Sequence, residues 1–425
     1  MATVDRIVVA PTPWATRVAF LASGEVLELW VEGSDRPSLV GAVALARVVA
    51  VHPDLGAATV AIPGGEAYLS DRAVIEGERL VVQIVRDGVA AKRPVARAGV
   101  ELSDGAVVLT PRTPGVGLSS SFRGKARRAG LKAALAAVVP DDVGVLVRAG
   151  AADRADDALV ADTGRLLQRW RSIRERAEAG EPPVWLEPPV SAVEAARAAV
   201  PGVEPEVDES GRLFEECGAT EALEAALARR VALPDGGELV VESVEAGTLI
   251  DVNLPAGGAR DGFRRANETA ALAAMRQLRL RGLRGIVLLD LPRMTDRAVR
   301  LRITNLVEEM AAADSARVQV LGWTPGGMLE LAREGVRRPL ADDLLEPPTE
   351  PRPSVRAAAW AALAGLRREA ARIPRPRLVL APALAGWLDG PGRPILEAER
   401  RRLGHLSVAT DPALARDGFR VESED

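Results

Sequence analysis

The sequence of 425 residues contains a single cysteine, Cys217, and only two histidines, His52 and His405. One cysteine excludes an internal disulfide framework and any metal site built from several thiolates. Such a composition is typical of a reducing cytoplasm, where we expect the protein to act. The two histidines lie far from the chemically informative part of the chain. We interpret each as a surface or packing residue and not as a base or ligand.

Long apolar runs are also absent, because no run reaches the roughly 18 residues that a membrane-spanning helix needs. The N-terminus has no basic region followed by an apolar one, so we expect no signal peptide and no membrane partner. Apolar residues make up 48% and charged residues 27% of the chain, the composition of a soluble globular protein. A chain of this length predicts two to four domains.

Aromatic residues make up only 3% of the chain, and three of the 55 basic residues are lysines. The formal net charge of −4 provides no overall attraction to nucleic acid. Basic residues are nevertheless concentrated locally, in segment 112–132, which has no acidic residue, and in segment 276–302, around Asp290 and Asp296. Such patches fit an RNA-binding groove as well as they fit solvated helix faces, and both interpretations stay open.

The stretch 236–292 is the centre of the chain's organisation. Its pattern predicts a strand at 238–245, a strand ending in Thr248–Asn253, a glycine-rich turn (Gly257, Gly258, Gly262), a helix from about Asn267 to Arg281 and an apolar strand, Gly285–Asp290. Asp251 and Asn253 are two residues apart on a strand, so their side chains leave the same face. Asp290 ends a strand that we expect to be buried, where open α/β sheets usually carry their chemistry.

Two carboxylates and an amide oxygen make a poor general-base system but a suitable oxygen cage for Mg²⁺. A metal held in this way activates water and neutralises charge at a phosphodiester. An aspartate at the end of an apolar strand also commonly caps the next helix or binds a ribose hydroxyl. Residue types and spacing alone leave these alternatives open.

The order of residues in this region resembles the catalytic core of the ribonuclease E/G family. The resemblance runs almost unbroken from Leu213 to Leu340 and, more weakly, over most of the chain. It is carried by Glu245–Asn253, Asn267–Ala270, Arg276–Arg281, Gly285–Asp290 and Met328–Leu331. It implies that Asp251 and Asp290 coordinate Mg²⁺, with Mn²⁺ as an alternative ion, and that Asn253 orients an aspartate or a metal-bound water.

The same resemblance implies a multi-domain α/β fold. Residues 1–38 and a trimmed segment, 191–234, would form a ribonuclease-H-like subdomain, interrupted by an OB-type β-barrel that binds RNA (39–94) and a 5′-sensor-like region (95–190). Residues 235–340 would form a deoxyribonuclease-I-like catalytic subdomain, in which we expect a helix at Met328–Glu334. An extended linker (341–354) and a small C-terminal α/β domain (355–425) would follow. The linker has none of the cysteines with which longer members join two subunits through zinc. We therefore expect no zinc, and any homo-oligomer must form without that link.

RNA-binding residues are expected on the barrel and in the basic segment that follows it. In the barrel, Tyr68 falls at a family aromatic position and Lys92 at a basic one, whereas Thr59 replaces a second aromatic residue. A bare structural barrel with a surface tyrosine is the alternative. In the basic segment the candidates are Lys125, Arg127 and Arg128.

The resemblance also selects residues of a sensor for RNA 5′-monophosphate ends. Gly105, Val108 and Arg148 match the sensor, and the first two would act through their backbone groups. Ala149 and Pro325 replace a threonine and an arginine of the family. We therefore expect 5′-end sensing to be weak or absent.

Near the catalytic core the chain both keeps and loses family features. Glu245 is retained, and we expect it to order the surroundings of the metal. The alternative is that it has only a structural role in its strand. Arg293 stands where the family has a second acid after the metal aspartate.

The resulting hypothesis is a cytoplasmic, Mg²⁺-dependent endoribonuclease that cleaves single-stranded RNA in rRNA or mRNA processing or decay. A non-catalytic RNA-binding relative is the alternative, motivated by the lost sensor groups and the trimmed subdomain. A Mg²⁺-dependent phosphoesterase with a small nucleotide substrate is a third hypothesis.

Overall fold

The structure is a computed structural model that describes residues 3–70, 73–89, 92–234, 236–254, 260–292, 296–346, 353–370 and 372–424, with only the backbone described at 260–263. The chain divides into two compact units, residues 1–347 and 348–425. None of the helices in the described ranges is long and apolar enough to cross a membrane.

The first unit contains most of the secondary structure. Its described strands are β1 (Arg6–Pro11), β2 (Ala15–Ala22), β3 (Glu25–Gly33), β4 (Val43–His52), β5 (Ala57–Ile62), β6 (Gly65–Leu69), β7 (Arg79–Arg86), β8 (Val95–Ala98), β9 (Leu102–Ser103), β10 (Val107–Thr110), β11 (Gly115–Leu118), β12 (Gly144–Val147), β13 (Val184–Glu187), β14 (Pro205–Val207), β15 (Arg230–Ala232), β16 (Glu238–Val244), β17 (Gly247–Asn253), β18 (Gly285–Asp290), β19 (Arg317–Trp323) and β20 (Leu329–Glu334). Its described helices are α1 (Lys125–Ala136), α2 (Asp156–Ala179), α3 (Ala192–Ala199), α4 (Arg212–Glu216), α5 (Ala219–Leu227), α6 (Arg260–Leu280), α7 (Arg297–Ala312) and α8 (Leu340–Leu344), with 3₁₀ turns at Pro53–Leu55 and Ala149–Ala151.

The N-terminal sheet joins two distant parts of the chain in the order β14-β1-β2-β3. β1 pairs with β14 in parallel, with Ile7 opposite Pro205. Apolar side chains on both faces of β1 are buried: Ile7 and Val9 pack in one cluster with α3, and Val8 packs in another with α4 and α5. Burial on both faces explains the continuous apolar run of this strand.

Strands β4, β5, β6, β8 and β7 form a closed barrel, because β4 pairs with both β5 and β7. Its interior is filled by small and β-branched side chains, including Ala44, Val48, Val60 and Val82. Closure leaves no free edge between the first and last strands of the barrel. The closed five-stranded barrel and the mixed α/β class are confirmed; the finer subdomain assignments stay predictions.

The segment after the barrel forms a four-stranded sheet in the order β11-β12-β10-β9, packed with α1 and α2. The buried face of helix α2 includes Leu159, Leu166 and Leu167. The helix begins with two acids, Asp156 and Asp157, which favour the positive end of the helix dipole.

A six-stranded sheet in the order β15-β16-β17-β18-β20-β19, hereafter the six-stranded sheet, follows. α6 connects the parallel strands β17 and β18, and α6 and α7 pack in one core with the sheet. The predicted helix at Met328–Glu334 is wrong, because Leu329–Glu334 forms the inner strand β20. Leu329, Leu331 and Arg333 are buried at alternate positions, and this period of two is the signature of a strand.

Helix α6 begins at Arg260, earlier than the predicted start near Asn267. Gly257 and Gly258 of the predicted turn lie outside the described residues, whereas Gly262 lies within the helix. A glycine inside a helix costs about 1 kcal/mol relative to alanine.

The buried residue Asp87 connects the barrel to the segments that flank strands β18 and β20 of the six-stranded sheet. Its carboxylate accepts hydrogen bonds from the Ser38 hydroxyl at 2.7 Å and the Leu39 N–H at 2.9 Å. Its backbone N–H donates to the carbonyl of Val336 at 2.8 Å, and its own carbonyl accepts from the guanidinium of Arg284 at 2.7 Å. Both the side chain and the backbone of one residue therefore hold this junction.

In the second unit the described elements are α9 (Val355–Glu369), β21 (Pro376–Leu380), α10 (Pro382–Asp389), α11 (Arg393–Leu403), β22 (Ser407–Thr410) and β23 (Phe419–Ser423). The strands form a sheet in the order β22-β21-β23, and the helices pack in one core with it. Part of the predicted extended linker is helical, because α8 includes residues 341–344, while 347–352 lie outside the described residues.

Asp87→Ala should lower the free energy of unfolding of the first unit by about 3 kcal/mol, measured by urea denaturation. The substitution removes the acceptor of the Ser38 hydroxyl and one of the acids near Arg338. Asp54→Ala removes an exposed acid beside the barrel and should change the free energy by less than about 0.5 kcal/mol. Equal losses in the two variants would contradict this role of Asp87.

Candidate active site

The candidate site lies where strands β17 and β18 end side by side. The two strands pair in parallel, and the register sets Asp251 directly opposite Asp290. Along β17, Ile250 and Val252 are buried, whereas Asp251 and Asn253 are exposed. Paired residues on neighbouring strands point to the same side of a sheet, about 4.8 Å apart. Both carboxylates therefore leave the face opposite the helices, which we call the open face.

Asn253 shares the open face with the two aspartates. Its side-chain Nδ2 donates a hydrogen bond to Oδ2 of Asp251 at 3.2 Å, which orients that carboxylate. Among the described residues, neither aspartate forms an ion pair with a basic side chain. Two carboxylates side by side repel each other, and a bound cation relieves that repulsion.

The donor set of this edge consists of two carboxylates and one amide. Across the described ranges, no group of three or more His, Cys, Asp or Glu side chains is placed to hold a metal. An ion at this edge would therefore keep part of its water shell, which is the habit of Mg²⁺ in proteins. The oxygen donors fit Mg²⁺ or Mn²⁺ and do not fit a structural zinc site.

The exit of β18 is anchored by the buried residue Asn267 of α6. Its Nδ2 donates to the carbonyl of Pro292 at 2.9 Å, two residues beyond Asp290. Asn267 is not among the site residues predicted from the sequence. The spacing of Asn267 from Ala270, Ala271 and Ala274 could have indicated its burial, because these residues lie on the core face of the helix.

The model of the Ribonuclease E/G family matches residues 102–196 and 190–336, more than half of the chain. The chain belongs to the ribonuclease E/G family. Ribonuclease G of Salmonella typhimurium (strain SL1344) is 25% identical over 393 residues, which cover 78% of this chain and 80% of that protein. Ribonuclease G of Escherichia coli (strain K12) matches to the same extent. Ribonuclease E of Nostoc sp. is 27% identical over 294 residues, 60% of this chain and 43% of that protein.

Glu245, the acid that the family resemblance suggested near the metal, lies in the turn between β16 and β17. This turn is at the opposite end of β17 from Asp251. At about 3.3 Å per residue, four residues of strand place it about 13 Å or more away. Glu245 therefore lies in this turn and not beside the two aspartates, which corrects the expectation that it orders the surroundings of the metal.

Several arginines near Asp290 in sequence are directed away from the site. Arg279 pairs with Glu28 of the N-terminal sheet at 3.2 Å, and Arg281 donates to the carbonyl of Ala228 at 2.8 Å. Burial lowers the pKa of Arg281 to about 10. Arg293, which replaces a family acid, lies outside the described residues.

Exposed basic side chains occur on the helices that follow the two strands. Arg264 and Arg265 lie on the second turn of α6, the helix that follows β17, and Arg297 begins α7, the helix that follows β18. The N-terminal ends of these helices add a partial positive charge.

The barrel residues Tyr68 and Lys92 are placed differently from each other. Tyr68 is half-buried on β6, paired with Thr59 of β5 and Val95 of β8. Lys92 donates from its ammonium Nζ to the carbonyl of Glu245 at 3.3 Å. It therefore contacts the six-stranded sheet at the β16–β17 turn, the end of β17 opposite Asp251. Lys92 therefore does not lie beside the two aspartates, and RNA binding by Tyr68 stays a prediction.

The basic residues of α1 also separate into two kinds. Arg127 donates to the carboxylate of Asp156 at 3.0 Å and to the carbonyl of Ala152 at 2.6 Å. Arg128 donates to the carbonyl of Ser119 at 2.7 Å. Internal contacts therefore fix both guanidinium groups, and RNA binding by Arg127 and Arg128 stays a prediction. Lys125 is exposed at the start of the helix and stays a candidate.

Two of the three residues matching the family's 5′ sensor meet at one turn. The N–H of Arg148 donates to the carbonyl of Ala106 at 2.9 Å, beside Gly105, and the Arg148 side chain is exposed. Val108 is buried within β10 and pairs with residues of both β9 and β12.

The turn also satisfies its own N–H groups. The N–H of Gly105 donates to the Ser103 hydroxyl at 3.1 Å. The N–H groups of Ala106 and Val107 donate to the carboxylate of Asp104 at 3.2 and 2.9 Å. The N–H groups of Gly105, Ala106 and Val107 therefore already have acceptors within the chain.

Asn267→Ala should lower the free energy of unfolding by about 1 to 3 kcal/mol, because it removes a buried donor and leaves the carbonyl of Pro292 without that hydrogen bond. The measurement is denaturant unfolding of the full chain. Asn305→Ala is the matched control, since Asn305 is exposed on α7, and it should change stability by less than about 0.5 kcal/mol. A neutral Asn267→Ala variant would show that the contact does not anchor the exit of β18.

Proposed function

We propose that the protein is a metal-dependent endoribonuclease that cleaves single-stranded RNA, in the processing or decay of rRNA or mRNA. One observation carries the proposal: Asp251 faces Asp290 in register, with Asn253 donating to Asp251. Membership of the ribonuclease E/G family, several of whose relatives are named as ribonucleases, supports the choice of RNA as substrate.

Asp251 and Asp290 would hold a magnesium ion directly, and Mn²⁺ is the alternative. The ion supplies activation of water and neutralisation of charge at the phosphodiester when it is bound. Asn253 holds Asp251 in one orientation through its Nδ2 and so reduces the reorganisation that binding requires. Asn267 fixes the chain just beyond Asp290 and thereby limits the movement of the second carboxylate.

The exposed guanidinium groups of Arg264, Arg265 and Arg297 are suited to bind the phosphates that flank the scissile bond. Because binding of this kind releases counterions from the RNA, affinity should fall steeply with salt.

A non-catalytic RNA-binding protein is the second candidate function. The observation that favours it is the loss of two sensor residues of the family, since Ala149 and Pro325 stand in place of a threonine and an arginine. The retention of Asp251, Asn253 and Asp290 favours the nuclease.

The test is cleavage of an AU-rich single-stranded oligonucleotide in Mg²⁺ or in EDTA. Asp251→Asn and Asp290→Asn should each reduce kcat by about 10² or more, because each removes a charged ligand. Asp54→Asn is the control and should cleave like the wild type, since its exposed carboxylate lies beside the barrel. Salt-sensitive binding without cleavage by the wild type would favour the second candidate.

We expect RNAs that carry a 5′-hydroxyl or a 5′-monophosphate to be cleaved at similar rates, within about threefold. The reason is that the N–H groups of the Gly105 turn are bonded to Ser103 and Asp104. The measurement is the ratio of kcat/KM for two oligonucleotides that differ only at the 5′ end. A preference of tenfold or more for the monophosphate, equivalent to about 1.4 kcal/mol of transition-state free energy, would contradict the expectation.

A further inference from the structure

Helix α2 and strand β13 enclose a groove of about 380 Å³, a volume within the range of ligand sites. We call it the α2 groove. Its helical wall is formed by Arg165, Gln168, Arg169, Ser172 and Arg176. These residues are spaced by three and four positions, so they form one face of the helix, whereas its leucines are buried in the core. None of the five belongs to the candidate active site.

The guanidinium groups of the α2 groove are held in place by partners. Arg169 forms a two-pronged contact with Glu187 of β13, with both N–O distances at 2.5 Å. Arg176 donates to the backbone carbonyls of Leu186 and, at 3.1 Å, of Trp185. Fixed guanidinium groups lose little freedom when a further ligand binds.

Positive charge exceeds negative charge in the α2 groove. Three arginines contribute to its lining, and Glu187 is the acid among the lining residues. Asp162 lies behind Arg165, but it is also paired with Arg154 at 2.8 Å, so it does not neutralise both. Among the described residues, Gln168 and Ser172 form no side-chain hydrogen bond, and their polar ends are exposed.

The positive charge continues from the α2 groove to the barrel. Arg79 of β7 donates to the carbonyl of Gly180, at the end of α2, at 2.5 Å. Arg47 of β4 and Arg79 also lie 3.7 and 3.6 Å from the carboxylate of Glu181. Arginines therefore follow one another from the helix onto the wall of the barrel.

We propose that the α2 groove binds consecutive phosphates of a single RNA strand, as a site separate from the aspartates. The RNA identity rests on the proposed function; the preference for a polyanion rests on the groove. The Cα atoms of Arg165 and Arg176 are separated by about 16 Å along the helix axis, which is too far for one phosphate but suits several along a strand. Gln168 and Ser172 supply hydrogen bonds between the charges.

The test measures binding of a fluorescent 15-nucleotide single-stranded RNA to the full chain carrying Asp290→Asn, which prevents cleavage. Adding Arg165→Gln together with Gln168→Glu should weaken binding about tenfold and lower the salt slope by about one for each phosphate that the protein no longer neutralises. Arg165 is 68% exposed and Asp162 keeps its pairing with Arg154, so the change should not unfold the helix. Thermal unfolding of each variant verifies this.

Arg171→Glu is the matched control, because like the two groove substitutions together it lowers the charge by two units, at an exposed position of α2 outside the groove. It should weaken RNA binding less than twofold. Equal affinity of the groove variant and the control variant would overturn the proposal. Uridine monophosphate that binds as tightly as the 15-nucleotide RNA and competes with it would also overturn it, because a single phosphate would then suffice.

Failure of this proposal is distinguishable from failure of the nuclease function. Wild-type protein that cleaves RNA, with groove variants that bind normally, would reject the α2 groove alone. Wild-type protein that does not cleave, with binding that still depends on Arg165 and Gln168, would reject the nuclease and support the groove.

Discussion

The candidate chemistry depends on the parallel register of β17 and β18. A slip of one residue in either strand would turn Asp251 or Asp290 into the apolar core under the helices. Helix α6 connects the two strands and buries its alanine-rich face against them, and this packing opposes such a slip. Two neighbouring carboxylates are unfavourable by themselves. The core on the other face of the sheet holds them together, and a cation is the natural partner for their charge.

Arginine has two uses in this chain, and sequence composition does not separate them. Arg127, Arg128 and Arg284 direct their donors at backbone carbonyls, and Arg127 and Arg284 thereby join segments distant in sequence. Such contacts satisfy carbonyl groups that would otherwise be buried without partners. A second group, including Arg165 and Arg297, is exposed. A local excess of basic residues therefore predicts RNA contacts only after these internal contacts have been identified.

Local pattern was sufficient for strands β16, β17 and β18, because short apolar segments with flanking glycines identify them without tertiary information. The same reasoning gave the wrong element at Leu329–Glu334, where only burial of alternate residues in the sheet distinguishes a strand from a short helix. The position of Glu245 depends on which end of β17 faces the site, and the sequence does not show that. Asn267 illustrates the same limit, because its partner at Pro292 is 25 residues away.

The proposed metal site and the proposed RNA groove would divide two tasks between parts of the first unit. Asp251 and Asp290 lie on an edge built from regular strands, which positions side chains more accurately than loops do. The α2 groove is formed by a helix and an edge strand that are joined through Glu187. In this account one region acts on the phosphodiester and the other holds the strand.

Mn²⁺ binding to the full chain, measured by electron paramagnetic resonance and calorimetry without RNA, determines whether Asp251 and Asp290 form a metal site. The account predicts one ion per chain for the wild type and a loss of affinity of tenfold or more in both Asp251→Asn and Asp290→Asn. Unchanged Mn²⁺ affinity in the two variants would show that the paired aspartates do not form the metal site.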